Sequence, residues 1–339
     1  MATFTAGAVG VDFDTLDLGP LAAGSPFGNT PTSAGLTVGP VSASLFGSGF
    51  VFGASGPPTG GTLERIVVNS DGVQAYDITG LTLSAAIFRA WVVAGDNASA
   101  KAGIFGGSDS LVGSAFDDRL RGFAGADSMS GGAGADFLDG GDGADSVTAG
   151  AGADTIVDPD GTNYLRGDEG DDVCVGGLGF DDINGNMGND TVMTGPGDDY
   201  SVGGKDNDLL FGDDGADIVY GNLGDDTCDG GNGNDIVRGG QGNDTLSGGS
   251  GNDFVSGDRG DDTMIGGTGA DNFHSSSDAG IDRVLDFSIA QGDRVQLDPG
   301  TTFTVSQVGG DTVVQLAAGQ VILVGVSMSS LLSSSIFVG

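Results

Sequence analysis

The chain has 339 residues, of which 48 are Asp or Glu, 11 are Lys or Arg and 68 are Gly, and its formal net charge is −37. So acidic a chain excludes nucleic acid and anionic membrane surfaces as electrostatic partners, because both bind through Lys and Arg. A single histidine excludes any multi-histidine metal centre, and no apolar run reaches the roughly 18 residues of a membrane-spanning helix.

Residues 1–103 are expected to form a small β-rich, sandwich-like domain. Apolar-rich segments at Leu36–Val38, Ser44–Phe52, Leu63–Asn69 and Val73–Leu83 alternate with turns rich in Gly, Pro and Ser. Ser84–Val93 suits a short helix or a closing strand, with Trp91 in the core. The opening MATFTAGAVGVDFD has neither a basic n-region nor an apolar h-region, so a cleaved Sec-type signal is not expected. This part has no histidine, no cysteine and no Gly-x-Ser-x-Gly elbow. Asp12 and Asp14 alternate as a catalytic carboxylate pair would need, with Asp17 and Glu64 as further candidates. Alternation of this kind is more often the solvated face of a strand.

From Ile104 to His274 the chain is 19 blocks of nine residues with no insertion or deletion. The blocks follow G-G-x-G-x-D-x-U-x, where U is apolar, and GGNGNDIVR at Gly230–Arg238 is a clean copy. Position 6 is Asp in 18 of 19 blocks, the exception being Asn163; position 8 is apolar in 18 of 19, the exception being Ser201. Position 4 is Gly except at Phe116 and Asp206, and the segment carries a net charge of −29. Glycines at positions 1, 2 and 4 let the backbone reach φ > 0 and let carbonyls approach a cation. Asp at position 6 brings a hard anionic oxygen of the kind Ca²⁺ prefers. One apolar residue in nine makes no ordinary core, but stacked coils can line a narrow interior with the position-8 side chains. Without metal, stacked like charges are destabilising, and the segment is expected to be disordered.

The blocks resemble the repeats-in-toxin (RTX) nonapeptide. The resemblance implies an all-β chain built on a parallel, right-handed β-roll with two nonapeptides per turn, and it implies Ca²⁺ as cofactor. In that family each ion lies between loops two blocks apart. It is held by both position-6 aspartates, by the carbonyls of positions 2 and 4 of one loop, and by those of positions 1 and 3 of the next. Carried onto this chain, the carboxylate ligands are Asp109, Asp118, Asp127, Asp136, Asp145, Asp154, Asp172, Asp181, Asp190, Asp199, Asp208, Asp217, Asp226, Asp235, Asp244, Asp253, Asp262 and Asp271. The clean copies add the carbonyls of Gly231, Gly233, Gly240, Gly242, Gly249 and Gly251. Up to about 17 ions would then neutralise the repeat segment, and folding would be coupled to binding. The block Asp158–Arg166 (DPDGTNYLR), with Pro159 and Asn163, is expected to give a weak or missing site, and IFGGSDSLV to cap the roll.

Cys174 and Cys228 both occupy position 8, 54 residues apart. They should point inward from the same sheet at three coil turns, about 14 Å at the spacing of β-strands, too far for a disulfide. His274 is expected on the surface. Tyr200, Val202, Ile218, Tyr220, Ile236 and Phe254 on one sheet, and Val173, Val175, Met193, Leu209 and Phe211 on the other, give the outward positions 7 and 9 an apolar character that suits a partner surface.

Residues 275–339 are expected to supply capping strands and an export signal. GIDRVLDFSIAQGDRVQL resembles the run that follows RTX repeats in secreted members, and SMSSLLSSSIFVG resembles their uncleaved C-terminal signals. The expected domains are therefore 1–103, 104–274 and 275–339. The expected function is a non-enzymatic, extracellular structural role in a Gram-negative bacterium. The partners are calcium ions, the type I secretion apparatus, and either further copies or a cell-surface component. The alternative is a secreted hydrolase with a carboxylate-based site in residues 1–103 and the roll as its folding aid. A pore-forming role lacks the long apolar helices it needs.

Overall fold

A computed structural model describes residues 3–6, 25–30, 33–38, 41–51, 60–70, 73–79, 83–84, 105–276, 280–331 and 335–338. The chain divides into two compact units, Met1–Asp160 and Gly161–Gly339. The division falls inside the irregular block DPDGTNYLR.

In the first unit the strands β1 (Thr3–Ala6), β2 (Ser25–Thr30), β3 (Ser33–Val38), β4 (Val41–Val51), β5 (Gly60–Ser70) and β6 (Val73–Thr79) form an antiparallel sheet in the order β2-β3-β4-β5-β6-β1. A short β7 (Leu83–Ser84) lies against β5. Strand β1 runs antiparallel to β6 and parallel to β8 (Ser110–Val112), the first strand of the repeats. Leu45, Ile66 and Ile78 are fully buried and share one row. That row continues in register through Phe4 to Leu111 and Met129. The apolar stripe of the repeats is thus an extension of the N-terminal sheet's own core row. Asp12, Asp14, Asp17 and Trp91 lie outside the described residues, as does the side chain of Glu64.

Successive nonapeptides feed two parallel sheets alternately. In the first unit one sheet takes Ser110–Val112, Ser128–Ala133 and Ser146–Ala151, the other Arg119–Arg121, Phe137–Asp139 and Thr155–Val157. The second unit repeats the pattern from Asn163–Glu169 and Val173–Val175 onward. Position 8 sits at the middle of each short strand and points inward. All of these side chains are buried, including Ser201. Cys174 and Cys228 are buried in strands of one sheet, and no disulfide joins them.

After His274 the two sheets end differently. One adds Arg294–Leu297 and then Ile336–Val338, both parallel. The other adds Ile281–Val284 and Gln320–Leu323 in parallel, then Asp311–Gln315 and Thr304–Val308 as an antiparallel meander. Hairpins of this sort terminate a stack that would otherwise offer its edge groups to another chain.

The glycines divide by position. Most glycines at positions 2 and 4 lie in the left-handed region: Gly231 has φ 100° and Gly233 φ 152°. Several non-glycine residues at position 2 are left-handed too, namely Phe123, Asp168, Asn186, Asp213, Asn222 and Asp258, and Asp and Asn tolerate that region best. Asp206, which replaces the position-4 glycine, adopts φ 74°. Position 1 departs from the sequence expectation, because its glycines show no left-handed φ. They are there for room: a Cβ on Gly230 would lie 2.7 Å from Asp235 Oδ2 and 2.7 Å from the Gly248 carbonyl oxygen.

Candidate metal centre

Each position-6 aspartate closes the turn before its strand, and all 18 are buried, at most 3% exposed. Burial of so many carboxylates needs a physical reason. Half of it is a backbone ladder. The Oδ1 of one aspartate accepts the backbone N–H of the aspartate 18 residues earlier. In the first unit Asp109 donates to Asp127 (2.7 Å), Asp127 to Asp145 (2.7 Å), Asp118 to Asp136 (2.8 Å) and Asp136 to Asp154 (2.7 Å). In the second unit one column runs from Asn163 through Asp181, Asp199, Asp217, Asp235 and Asp253 to Asp271. The other runs from Asp172 through Asp190, Asp208, Asp226 and Asp244 to Asp262.

In ten of these aspartates the second oxygen has no such partner. Oδ2 of Asp127, Asp136, Asp190, Asp208, Asp217, Asp226, Asp235, Asp244, Asp253 and Asp271 is buried and accepts no hydrogen bond. This oxygen lies over the position-1 glycine of its own block, where the position-1 carbonyl from two blocks on also arrives, as Gly230 shows with Asp235 and Gly248. The carbonyls of positions 2 and 4 point the other way along the stack: those of Gly231 and Gly233 face Gly249 and Gly251 of the next coil. The gap between coils is therefore lined from both sides by carbonyls and by carboxylate oxygens without protein donors. Such an all-oxygen donor set, with two carboxylates and several carbonyls, fits Ca²⁺. Among the described residues no three His, Cys, Asp or Glu side chains converge, so the donors come from the backbone as much as from side chains.

Electrostatics agree. Burial, followed by the charges of the aspartates above and below, pushes Asp208 up to about 8 and Asp217, Asp244 and Asp253 to about 7. Asp190 and Asp226 rise to about 6, again first through burial. These carboxylates resist ionisation until a cation is near.

The irregular blocks depart in specific ways. At Asp118 and Asp181 the Oδ2 accepts the position-2 N–H of its own block, from Ser114 (2.6 Å) and Gly177 (3.0 Å). Thr194, at position 1, donates its hydroxyl to the Gly212 carbonyl (2.8 Å), one of the carbonyls that would otherwise face the gap. Asp158, also at position 1, is fully buried, and its carboxylate lies over Gly140 beside Asp145. The acidic group of the block DPDGTNYLR has moved from position 6 to position 1 rather than vanished. His274 also departs from expectation. It is on the outward face but only 12% of its side chain is exposed, because it stacks on Phe254 and bonds Ser256 and Asp298.

Three aspartates after the repeats were not among the expected ligands. Asp282, Asp286 and Asp293 belong to the G-I-D-R-V-L-D-F…G-D-R run, and all three meet the last coils. The recurring Asp in that run was the available signal, but its nine-residue phase is lost there.

The model of the RTX calcium-binding nonapeptide repeat matches nine overlapping stretches between residues 105 and 273. The chain belongs to the RTX repeat family. RTX nonapeptide repeats bind Ca²⁺. No curated protein matches the RTX chain. Among solved structures it is similar to the extracellular lipase LipA from Serratia marcescens, at 17% identity and a TM-score of 0.31, over 68% of this chain. The RTX chain spans only 40% of that lipase. Among the described residues no helix is long and apolar enough to cross a membrane.

Proposed function

We propose that this RTX protein is a secreted, non-enzymatic structural protein of a Gram-negative bacterium that folds on Ca²⁺ after export. It would act at or beyond the cell surface, in a surface layer, matrix, filament or adhesion. The observation that carries the reading is the column of buried carboxylates whose second oxygens accept no hydrogen bond. When bound, Ca²⁺ supplies positive charge to those oxygens. The position-6 aspartates hold it from both coils, and the carbonyls of positions 2 and 4 of one loop and 1 and 3 of the next complete the shell. Up to about 17 ions across the repeats would bring the chain near neutrality, a condition that favours association.

Low Ca²⁺ leaves the chain self-repelling and threadable through a type I exporter. Extracellular modules of this kind bind at roughly 10⁻⁴–10⁻³ M, so the outside medium would fold it. On this reading residues 1–103 are an N-terminal β-domain, 104–274 the roll, and 275–339 the cap and export signal. The outward face supports association: Leu209 and Ile236 are exposed, and Tyr200 meets Tyr220 edge-on at 5.8 Å.

Sizing and electron microscopy of the purified protein, with and without millimolar Ca²⁺, test the reading. Calcium-dependent assembly supports it. A Ca²⁺-replete monomer that hydrolyses lipid, peptide or glycan substrates overturns it.

A further inference from the structure

Charge on the roll of the second unit is unevenly divided between its two sides. On one sheet, strands Tyr200–Lys205, Ile218–Leu223, Ile236–Gln241 and Phe254–Arg259 pair in parallel, and Lys205, Leu223, Gln241 and Arg259 stand in register at position 3 of successive coils. All four are exposed. They form a ridge of long side chains, about 14 Å from first to last at the spacing of β-strands. Beside the ridge, Arg238 is held against Asp258 (3.6 Å) and over the rings of Tyr220 and Phe254. Lys205 has no such anchor: among the described residues no carboxylate pairs with it, in a chain of net charge −37.

The other sheet presents the opposite. There position 3 is held by Pro196, Asp214, Asn232 and Ser250, whose side chains are short. Asp213, Asp214 and Asp229 line a groove of about 560 Å³, and no Lys or Arg is among the described residues that line it. Asn232 donates to Asp214 Oδ1 (2.7 Å) and fixes that carboxylate at the groove wall. The two sheets face each other across the buried position-8 row, so equivalent positions on them lie on opposite sides of the roll. Lys205 and Asp214 are nine residues apart, which is half a coil. Ridge and groove therefore sit at nearly the same level.

We propose that the ridge of one copy docks into the acidic groove of a second copy, so that rolls line up side by side in one orientation. The contact rests on the assembling role proposed above and deepens it by naming the faces that meet. Those faces differ, so the ends of a row always keep one free ridge and one free groove, and the row does not close. Long cationic side chains enter a groove walled by short ones, and Lys205 gains the carboxylates that its own side does not give it. A single exposed ion pair contributes little, but the ridge adds the Leu223 side chain, and the contact recurs at every copy. Bound Ca²⁺ lowers the repulsion between whole chains, after which local charge sets which faces meet.

The test uses the full chain in millimolar Ca²⁺, with assembly followed by light scattering and analytical ultracentrifugation, and folding by circular dichroism. Two double variants reverse one side each: Lys205→Glu with Arg259→Glu, and Asp214→Lys with Asp229→Lys. Each alone is expected to need at least about tenfold more protein to assemble, since like charges then face one another. An equimolar mixture of the two is expected to assemble as the wild type does, because reversed ridge meets reversed groove and native ridge meets native groove. Wild-type assembly by either folded variant alone overturns the proposal, as does a mixture that stays apart or a wild type that stops at a closed dimer. Should a variant fail to fold, the wild type decides through salt. Its assemblies are expected to dissolve in about 1 M NaCl, where charges more than about 3 Å apart are screened, and indifference to salt overturns the proposal. A wild type that stays monomeric in Ca²⁺ overturns the assembling role itself, and the contact with it.

Discussion

Two sets of aspartates in the second unit look alike in sequence and do opposite work. In the columns, Asp235 gives one oxygen to the Asp217 N–H and buries the other without a donor. In the cap, Asp286 and Asp293 give both oxygens to backbone N–H groups. A carboxylate satisfied twice by the chain is a structural plug, stable without metal. One satisfied once is half of a cation site and destabilising until it is filled. At its C-terminal end the aspartate column therefore meets carboxylates that the backbone alone satisfies.

The largest effect should come from removing the ion. Excess chelator is expected to abolish most of the β-sheet circular dichroism, and millimolar Ca²⁺ to restore it cooperatively. Equal β content in both conditions would erase the distinction between column and plug. Next in size is Asp235→Asn. Because each column aspartate serves the gap above and the gap below, it should cost about two bound ions. Asp293→Asn should cost none and instead lower stability by about 1–3 kcal/mol through lost hydrogen bonds. Calcium titration and chemical denaturation of the pair separate the two outcomes.

A smaller effect concerns protons. In the metal-free coil Asp208, Asp217 and Asp244 are raised to about 8, 7 and 7, against about 3.9 in an unfolded chain. A raised acid favours the fold when protonated. That contribution is full below about pH 4 and is lost as pH rises through 7 to 8. Metal-free protein should then show more β-structure at pH 4 than at pH 8. With Ca²⁺ the order reverses, since protons and ions compete for the same oxygens. Apparent affinity should fall from pH 8 to pH 6, with protons released on binding at the lower pH, as calorimetry in buffers of different ionisation enthalpy would register.

The smallest effect is steric. Gly230→Ala places a methyl between Asp235 Oδ2 and the Gly248 carbonyl, at the roughly 1–3 kcal/mol of an overpacked site. Gly310→Ala, with nothing within 4 Å of the added Cβ, should leave calcium affinity unchanged. Equal affinities in the two variants would show that position 1 is not part of the metal gap.

The period, the buried apolar row at position 8 and the aspartate at position 6 were legible in the sequence, because each is a local pattern repeated 19 times. The chain's likeness to RTX repeats brought the two-block coil. What stayed illegible is set by neighbours 18 or more residues away. The position-1 glycine reads like those at 2 and 4, yet only a facing carbonyl and carboxylate explain it. His274 reads as surface until Phe254 and Asp298 cover it. The block DPDGTNYLR reads as irregular through Pro159 and Asn163, and only the fold brings the Asp158 carboxylate over Gly140.

The sequence by itself determined which residues would be buried together, since a strict nine-residue phase leaves only one way to align charge with charge and apolar with apolar. The tertiary structure alone decided which oxygen of each aspartate the backbone claims and which is left for a cation. That choice depends on the coil above and the coil below, and no single block contains it.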